Sequence, residues 1–141
     1  MNSCTITKTI EKSDDTKDGR DIMAKVLVVD DAAFMCLTIK QMLERNGHTM
    51  IGQASTGVEA IQKFTELRPE LILMDITMPE MNGVEALERI KEIDPNAKII
   101  ICSAMAQKDY IARSIELGVE DFIVKPFKEE RLMQAIEKVL R

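Results

Sequence analysis

Hydrophobic positions from residue 25 onward form two alternating kinds of segment. Short runs of apolar, often β-branched residues lack polar alternation, which is typical of strands buried on both faces of a parallel sheet. Longer segments carry apolar residues three and four positions apart, which predicts amphipathic helices. The pattern predicts strands over 25–29, 49–54, 71–75, 98–102 and 121–124, and helices over 33–46, 57–67, 83–93, 106–117 and 128–140.

Residues at the segment ends support these boundaries. Thr56 with Glu59, and Asn82 with Glu85, have the spacing of a capping box at the start of a helix. Gly118 follows the fourth predicted helix, where glycine commonly ends one. Strand and helix thus alternate five times.

This alternation predicts an α/β fold with a parallel sheet and right-handed crossovers. Five strands are too few for an eight-stranded barrel, so we expect a flavodoxin-like, doubly wound sheet of strand order 2-1-3-4-5. The first helix is expected to bury Phe34, Leu37, Met42 and Leu43. The lone histidine, His48, precedes strand 2, and we expect it to be exposed and without a role.

Composition limits the possible classes of protein. The chain has 141 residues, 45% of them hydrophobic, and a net charge of -5, which argues against a nucleic-acid binder that works through its overall charge. Residues 1–23 are highly charged without apolar periodicity, so we expect a flexible tail before a domain over 24–141. We expect neither a secretory signal nor a membrane span.

Three scattered cysteines fit neither a disulfide framework nor a zinc site, and they are typical of a reducing cytoplasm. Cys102 closes an apolar strand, so packing is its expected role.

Candidate chemistry lies where the predicted strands end. Asp30 and Asp31 follow strand 1, Asp75 ends strand 3, Ser103 follows strand 4 and Lys125 follows strand 5. In an open parallel sheet these carboxyl ends line one edge, where ligands bind. Carboxylate oxygens suit Mg²⁺, and an aspartate can also accept a phosphoryl group. A serine hydroxyl and a lysine ammonium could bind phosphoryl oxygens.

Each of these residues also has an ordinary structural interpretation. The two adjacent aspartates could form a turn that caps the first helix, and Ser103 could cap the fourth. Lys125 could be a solvated lysine at a strand end, although a cis peptide bond before Pro126 would direct its side chain inward.

The same residues resemble a known family. In order and spacing, the chain over about 24–141 is similar to response-regulator receiver domains, and it looks most like single-domain chemotaxis regulators of the CheY type. The residues that carry the resemblance are Asp30-Asp31, Asp75, Met78-Pro79-Glu80-Met81-Asn82-Gly83, Ser103 and Lys125-Pro126-Phe127.

The resemblance implies that Asp75 accepts a phosphoryl group from a histidine kinase of the CheA kind. It implies that Mg²⁺ is held by Asp30, Asp31, Asp75 and the backbone carbonyl of Thr77, and that Ser103 and Lys125 assist. Such a protein is a phosphoacceptor switch and not an enzyme with an external substrate.

The resemblance further implies a switch in which Ser103 moves to the phosphoryl group and Phe122 turns inward. Many relatives have tyrosine in place of Phe122. Thr77 and Met105 are expected to tune the lifetime of the phosphoryl group. Candidate output residues, on helix 4, strand 5 and helix 5, are Ala106, Lys108, Tyr110, Ile111, Phe122, Lys128 and Arg131.

Other functions compete with this one. A hydrolase of the haloacid dehalogenase kind needs a second acid two residues after its nucleophile, where this chain has Thr77. A dinucleotide-binding module needs a glycine fingerprint that is missing after strand 1. A scaffold that is never phosphorylated would not need the five site residues. Within the receiver family, two roles are possible. One is a monomeric ligand of the flagellar motor switch that a phosphatase deactivates. The other is a relay or phosphate sink that passes phosphate to a histidine phosphotransfer protein.

Overall fold

The computed structural model describes residues 23–78, 81–104 and 108–141. Within them the chain alternates strand and helix: β1 (Lys25–Val29), α1 (Ala33–Arg45), β2 (Thr49–Ala54), α2 (Gly57–Leu67), β3 (Leu71–Met74), α3 (Gly83–Ile93), β4 (Ile99–Ser103), α4 (Lys108–Glu116), β5 (Asp121–Val124) and α5 (Glu129–Leu140). Among the described residues, no helix combines the length and the apolar character that crossing a membrane requires.

The strands form one parallel sheet in the order β2-β1-β3-β4-β5. This is the flavodoxin-like order that the sequence predicts, and the prediction is confirmed. Val29, the last residue of β1, lies opposite Met74, the last residue of β3. The residues that follow these two strands are therefore side by side at the carboxyl edge of the sheet.

The sheet has a hydrophobic core on each face. Leu27 and Val29 of β1 point into the core beneath α2 and α3, whereas Val26 and Val28 point into the core beneath α1 and α5. All four side chains are almost fully buried. Burial on both faces explains why this central strand is an uninterrupted apolar run.

The buried face of α1 differs from the one expected. Cys36, Ile39 and Leu43 are its buried residues, whereas 77% of Phe34 and 51% of Leu37 is exposed. Leu43 is buried as predicted, and Met42 packs partly against the core. Both apolar stripes have helical spacing. The sheet contacts one of them, and Phe34 and Leu37 lie on the other.

The expectation that His48 is exposed is wrong. Its side chain is 8% exposed, and its Nδ1 accepts a hydrogen bond from the backbone N–H of Ala24 at 3.1 Å. The adjacent backbone explains this position, because the N–H of Thr49 donates to the carbonyl of Ala24 at 2.9 Å and holds the turn against the start of β1. Burial lowers the pKa of His48 below its usual value.

The predicted caps form, with one difference. Asn82 and Glu85 make the complete capping box at α3. At α2 the hydroxyl of Thr56 accepts the N–H of Glu59 at 3.0 Å, but the carboxylate of Glu59 accepts the N–H of Ser55. Five elements, β1, β2, α2, α3 and β5, have the predicted bounds. The other described boundaries that differ shift by one residue, so that Ser103 becomes the last residue of β4. The predicted start of α4 at residue 106 lies outside the described residues.

Candidate functional site

Three aspartates meet at the carboxyl edge of the sheet. Asp30 and Asp31 follow β1, and Asp75 follows β3, where its N–H donates to the carbonyl of Val29 at 2.9 Å. One carboxylate oxygen from each aspartate lies within 4.8 Å of those of the other two. The structure therefore brings together the three carboxylates that the sequence places at strand ends, which we call the acidic cluster.

Asp30 is the most enclosed member of the acidic cluster, with 3% of its surface exposed. Its Oδ1 accepts the N–H of Ala32 at 2.9 Å, and its carbonyl accepts a weak hydrogen bond from the thiol of Cys36 at 3.4 Å. The residue at the N-cap of α1 is Ala32, whose side chain makes no capping bond. The acidic pair therefore does not have the helix-capping position that was its ordinary interpretation.

Lys125 supplies the positive charge at the acidic cluster. A cis peptide bond precedes Pro126, and the ammonium Nζ pairs with Oδ2 of Asp30 and lies 3.4 Å from Oδ2 of Asp75. Burial opposes the charged form, but hydrogen bonds and Coulombic attraction from these two aspartates outweigh it, so the pKa of Lys125 is raised. Its side chain is 13% exposed, which excludes the interpretation as a solvated lysine.

The charge of this arrangement fits a divalent cation. Three carboxylates and one ammonium leave two negative charges uncompensated in a space less than 5 Å across. Hard carboxylate oxygens are the ligands that Mg²⁺ prefers, and Mg²⁺ commonly uses one or two carboxylates together with waters and a phosphate. Asp30, Asp31 and Asp75 are thus a suitable donor set for this ion.

The other predicted site residues lie around this edge. Ser103 is fully buried at the end of β4, and its carbonyl accepts the N–H of Lys125 at 2.9 Å. Thr77 is exposed, and its N–H donates to Oδ1 of Asp75 at 3.3 Å. Met105, the second residue expected to tune the lifetime, lies outside the described residues, as does Ala106 on the output face.

Phe122, the predicted switch residue, lies on β5 and is half-buried. It packs against the edge of the core beneath α2 and α3, together with Tyr110 of α4. Its other neighbours form a surface groove of about 500 Å³ between β5 and α5, lined by residues that include Val124, Phe127 and Arg131.

Both described cysteines are packing residues near the site. Cys102 is buried as predicted, and burial raises the pKa of its thiol to about 12. Burial, followed by the negative charge of Asp30, also raises the pKa of Cys36. Neither thiol is a reactive nucleophile at neutral pH.

Two glycines contribute to the site in a way that the sequence analysis missed. A Cβ atom on Gly83 would lie 2.8 Å from the Cα of Ile76 and against the carbonyl oxygen of Asp75. A Cβ atom on Gly57 would lie 2.7 Å from the Cβ of Met81. The available signal was a glycine at the first position of two helices, where a side chain is ordinarily tolerated.

The fold and the acidic cluster define a class of protein, namely a doubly wound α/β domain with clustered carboxylates where its strand order reverses. Residues 26–137 match the family model of the response regulator receiver domain. The chain therefore belongs to the receiver-domain family of two-component response regulators. This family consists of phosphoacceptor switches and not of classical enzymes.

Individual relatives are CheY proteins. The chemotaxis protein CheY of Thermotoga maritima is 50% identical over 115 residues, which cover 82% of this chain and 96% of that protein. CheY of Bacillus subtilis is 49% identical over 116 residues, covering 82% and 97%. A solved complex of CheX with CheY, BeF3 and Mg²⁺ from Borrelia burgdorferi gives a TM-score of 0.80 at 32% identity, covering 83% of this chain and 89% of that one. The chain is thus closely related to chemotaxis response regulators.

Proposed function

We propose that Asp75 accepts a phosphoryl group from the phosphohistidine of a kinase, with Mg²⁺ bound at the acidic cluster, and that this changes the face formed by α4, β5 and α5. The observation that carries the proposal is the position of Asp75. Its carboxylate is 11% exposed, lies within the acidic cluster and is next to the ammonium of Lys125.

The two enclosed aspartates differ in a way that favours Asp75 as the nucleophile. Both oxygens of Asp30 are already engaged, one by the N–H of Ala32 and the other by Lys125. Asp75 is more exposed, and the contacts of its two oxygens are longer, at 3.3 Å to the N–H of Thr77 and 3.4 Å to Lys125. A carboxylate oxygen of Asp75 is therefore easier to release for attack on phosphorus.

In the proposed transfer an oxygen of Asp75 forms a bond to phosphorus as the phosphorus–nitrogen bond of the donor histidine breaks. The histidine nitrogen keeps the bonding electron pair. When bound, Mg²⁺ would neutralise charge on the phosphoryl oxygens. Asp30, Asp31, Asp75 and the carbonyl of Thr77 would hold the ion. The ammonium of Lys125 is close enough to stabilise the same developing charge.

We further propose that Ser103 and Phe122 form the switch. The hydroxyl of Ser103 would bind a phosphoryl oxygen, and Phe122 would repack toward the space near β4. The backbone hydrogen bond from Lys125 to Ser103 supports this coupling, because it ties β5 to the strand end that carries the hydroxyl. Phe122 has no phenolic oxygen, so its change is one of packing.

The identity of the side chains at Thr77 and Met105 would set how long the aspartyl phosphate survives. Met105 is apolar and cannot orient an attacking water, so we expect hydrolysis to be slower than in Met105→Glu. The rate at which the added phosphoryl mass disappears measures this. An equal rate in the two proteins would contradict the role of Met105.

The central experiment measures the mass of the intact chain after incubation with acetyl phosphate, with and without Mg²⁺. We expect the gain of one phosphoryl group with Mg²⁺, no gain in Asp75→Asn, and an unchanged gain in the matched control Asp94→Asn at the opposite edge of the sheet. If Asp75→Asn gained the group as wild type does, the proposed acceptor would be wrong.

The proposed partners are a histidine kinase of the CheA kind and, after phosphorylation, a flagellar motor-switch protein or a phosphatase. The similarity to CheY proteins supports this choice. Phosphorylation should strengthen the binding of the wild-type chain to the motor-switch protein. The Asp75→Asn variant should show no such increase. Transfer of the phosphoryl group onward to a histidine phosphotransfer protein, without motor binding, would favour a relay.

We also propose a cytoplasmic location. We further propose that residues 24–141 form the receiver domain and that residues 1–23 form a charged tail that precedes it. Cys36 and Cys102 support the location, because both are free thiols. Proteolysis should trim the tail and leave a domain that still gains the phosphoryl group. Loss of that gain on trimming would contradict these domain boundaries.

A further inference from the structure

The turn over residues 54–57, between β2 and α2, contacts the backbone of Asp30 and that of Met81; we call it the connecting turn. At its start, the carbonyl of Ala54 accepts the N–H of Asp30 at 2.9 Å. At its end, the N–H of Gly57 donates to the carbonyl of Met81 at 3.1 Å. The connecting turn therefore joins the strand end that carries Asp30 to the segment that follows Asp75.

The N–H of Gly57 is available because it lies at the start of a helix. The first N–H groups of an α-helix have no partner within the helix. In α2, the N–H of Glu59 is satisfied by the hydroxyl of Thr56 at 3.0 Å, and that of Ala60 by the carbonyl of Thr56 at 2.9 Å. Gly57 instead donates to Met81, outside the helix.

Gly57 also has no space for a side chain. A Cβ atom would lie 2.7 Å from the Cβ of Met81 and 2.9 Å from its carbonyl carbon, with the carbonyl oxygen closer still. Two of these atoms are backbone atoms and cannot rotate away. Any larger residue at position 57 must therefore displace the backbone of Met81 from the connecting turn.

A displacement of Met81 reaches Asp75 through a short, packed route. Two residues after Met81, the N–H of Gly83 donates to the carbonyl of Ile76 at 2.7 Å. A Cβ atom on Gly83 would be 2.8 Å from the Cα of Ile76, so the two backbones are in direct contact. The segment 81–83 thus lies against the peptide that links Asp75 to Ile76.

We infer that Gly57 is a positioning residue for the phosphoacceptor. By letting the connecting turn contact Met81 closely, it sets the position of Asp75 relative to Asp30, and with it the affinity for the divalent cation and the rate of phosphoryl transfer. This inference rests on the function proposed above, and it adds a residue that touches neither the ion nor the phosphoryl group.

The test is Gly57→Ala in the full chain. The rate of mass gain from acetyl phosphate is measured over a series of Mg²⁺ concentrations, which separates the half-saturating concentration from the maximal rate. We expect the half-saturating concentration to rise and the maximal rate to fall about tenfold, because a misplacement of about 1 Å can lower a reaction rate by up to about a hundredfold. Unfolding in urea is measured on the same samples.

Gly52→Ala is the matched control. Its Cβ would lie 2.6 Å from Cδ1 of Leu67 and 3.5 Å from Cδ1 of Leu27, so it too crowds its surroundings. Those atoms are the ends of flexible side chains away from the acidic cluster. We expect Gly52→Ala to lose stability but to keep the half-saturating Mg²⁺ concentration within about twofold of wild type.

The outcomes separate this inference from the proposed function. An equal Mg²⁺ dependence in the two variants would overturn the positioning role, since Gly57 would then act only through stability. If Gly57→Ala does not fold, Thr56→Ala is tested in its place. Loss of the capping hydroxyl loosens the first turn of α2, and we expect the half-saturating Mg²⁺ concentration to rise about threefold.

A wild-type chain that gains a phosphoryl group neither from acetyl phosphate nor from a phosphorylated histidine kinase would contradict the proposed function. The stabilisation of the fold by Mg²⁺ would then be the readout, and it should be smaller in Gly57→Ala than in Gly52→Ala. A chain that Mg²⁺ does not stabilise would overturn both proposals.

Discussion

Polar groups are arranged differently at the two edges of the sheet. At the carboxyl edge, Asp30, Asp31 and Asp75 share a space less than 5 Å across with the ammonium of Lys125, and like charges face one another. At the amino edge, side-chain acceptors bind single backbone N–H groups near the starts of strands. Glu70 accepts the N–H of Lys25 at 2.7 Å, and Glu120 accepts the N–H of Ile99 at 2.7 Å. His48 accepts the N–H of Ala24 at 3.1 Å.

This difference separates stability from function. A hydrogen-bonded donor and acceptor contribute modestly to the stability of the fold, and neither group stays available to bind a ligand. Crowded carboxylates oppose folding, and a bound cation relieves that repulsion. Substitutions at the two edges should therefore have effects of opposite kind: loss of ligand response at the carboxyl edge, and loss of stability without loss of response at the amino edge.

The largest effect is expected for Asp31→Asn. Mg²⁺ at about 100 times its Kd stabilises a protein by about 2.7 kcal/mol, and this variant should lose that stabilisation. Without Mg²⁺ its free energy of unfolding should rise by about 1 kcal/mol, because one repulsive charge is removed. Chemical unfolding with and without Mg²⁺ measures both. Asp94→Asn is the control, and a full Mg²⁺ response in Asp31→Asn would refute the contrast.

The second effect lies at the amino edge. Glu120→Ala leaves the N–H of Ile99 without its side-chain acceptor and removes an ion pair with Lys91 at 3.6 Å. We expect a loss of about 1–2 kcal/mol in the free energy of unfolding and no change in the rate of phosphorylation. Glu120→Gln keeps an acceptor oxygen and should recover most of the loss. A phosphorylation defect in Glu120→Ala would break the separation between the edges.

The smallest effect concerns pH. The pKa of His48 is lowered in the folded chain, so the unfolded chain binds a proton more readily and stability falls as the pH drops below the usual value of 6.5. We expect this fall of stability with pH to be absent in His48→Asn, because asparagine does not titrate. Urea unfolding between pH about 7.5 and about 5.5 measures it. Identical slopes in the two proteins would be inconsistent with a buried, neutral histidine.

The sequence predicts the carboxyl edge better than the amino edge, for a physical reason. Parallel strands must end together at one edge, so residues such as Asp30 and Asp75 are brought together by topology alone. The partner of His48 is a backbone N–H 24 positions away, which no local pattern reveals. The same holds for Gly57, whose role depends on the carbonyl of Met81 in another part of the chain.

The first helix shows a second limit. Phe34 and Leu37 form one apolar stripe, and Cys36, Ile39 and Leu43 form another. Periodicity identifies the helix but cannot choose between two such stripes. The choice depends on the orientation in which α1 packs on the sheet, and that is a property of the tertiary structure.

The distance along the chain between Lys125 and its partners has a consequence for the order of folding. Lys125 lies 95 residues after Asp30 and 50 after Asp75. An intermediate in which β1 and β3 have paired before β5 joins the sheet contains the carboxylates without their ammonium, and it is destabilised by their repulsion. Docking of the last strand brings in the ammonium of Lys125 and reduces this penalty. The complete sheet is therefore favoured over a half-formed sheet that lacks β5. The charge crowding of the mature protein thereby makes its assembly more cooperative.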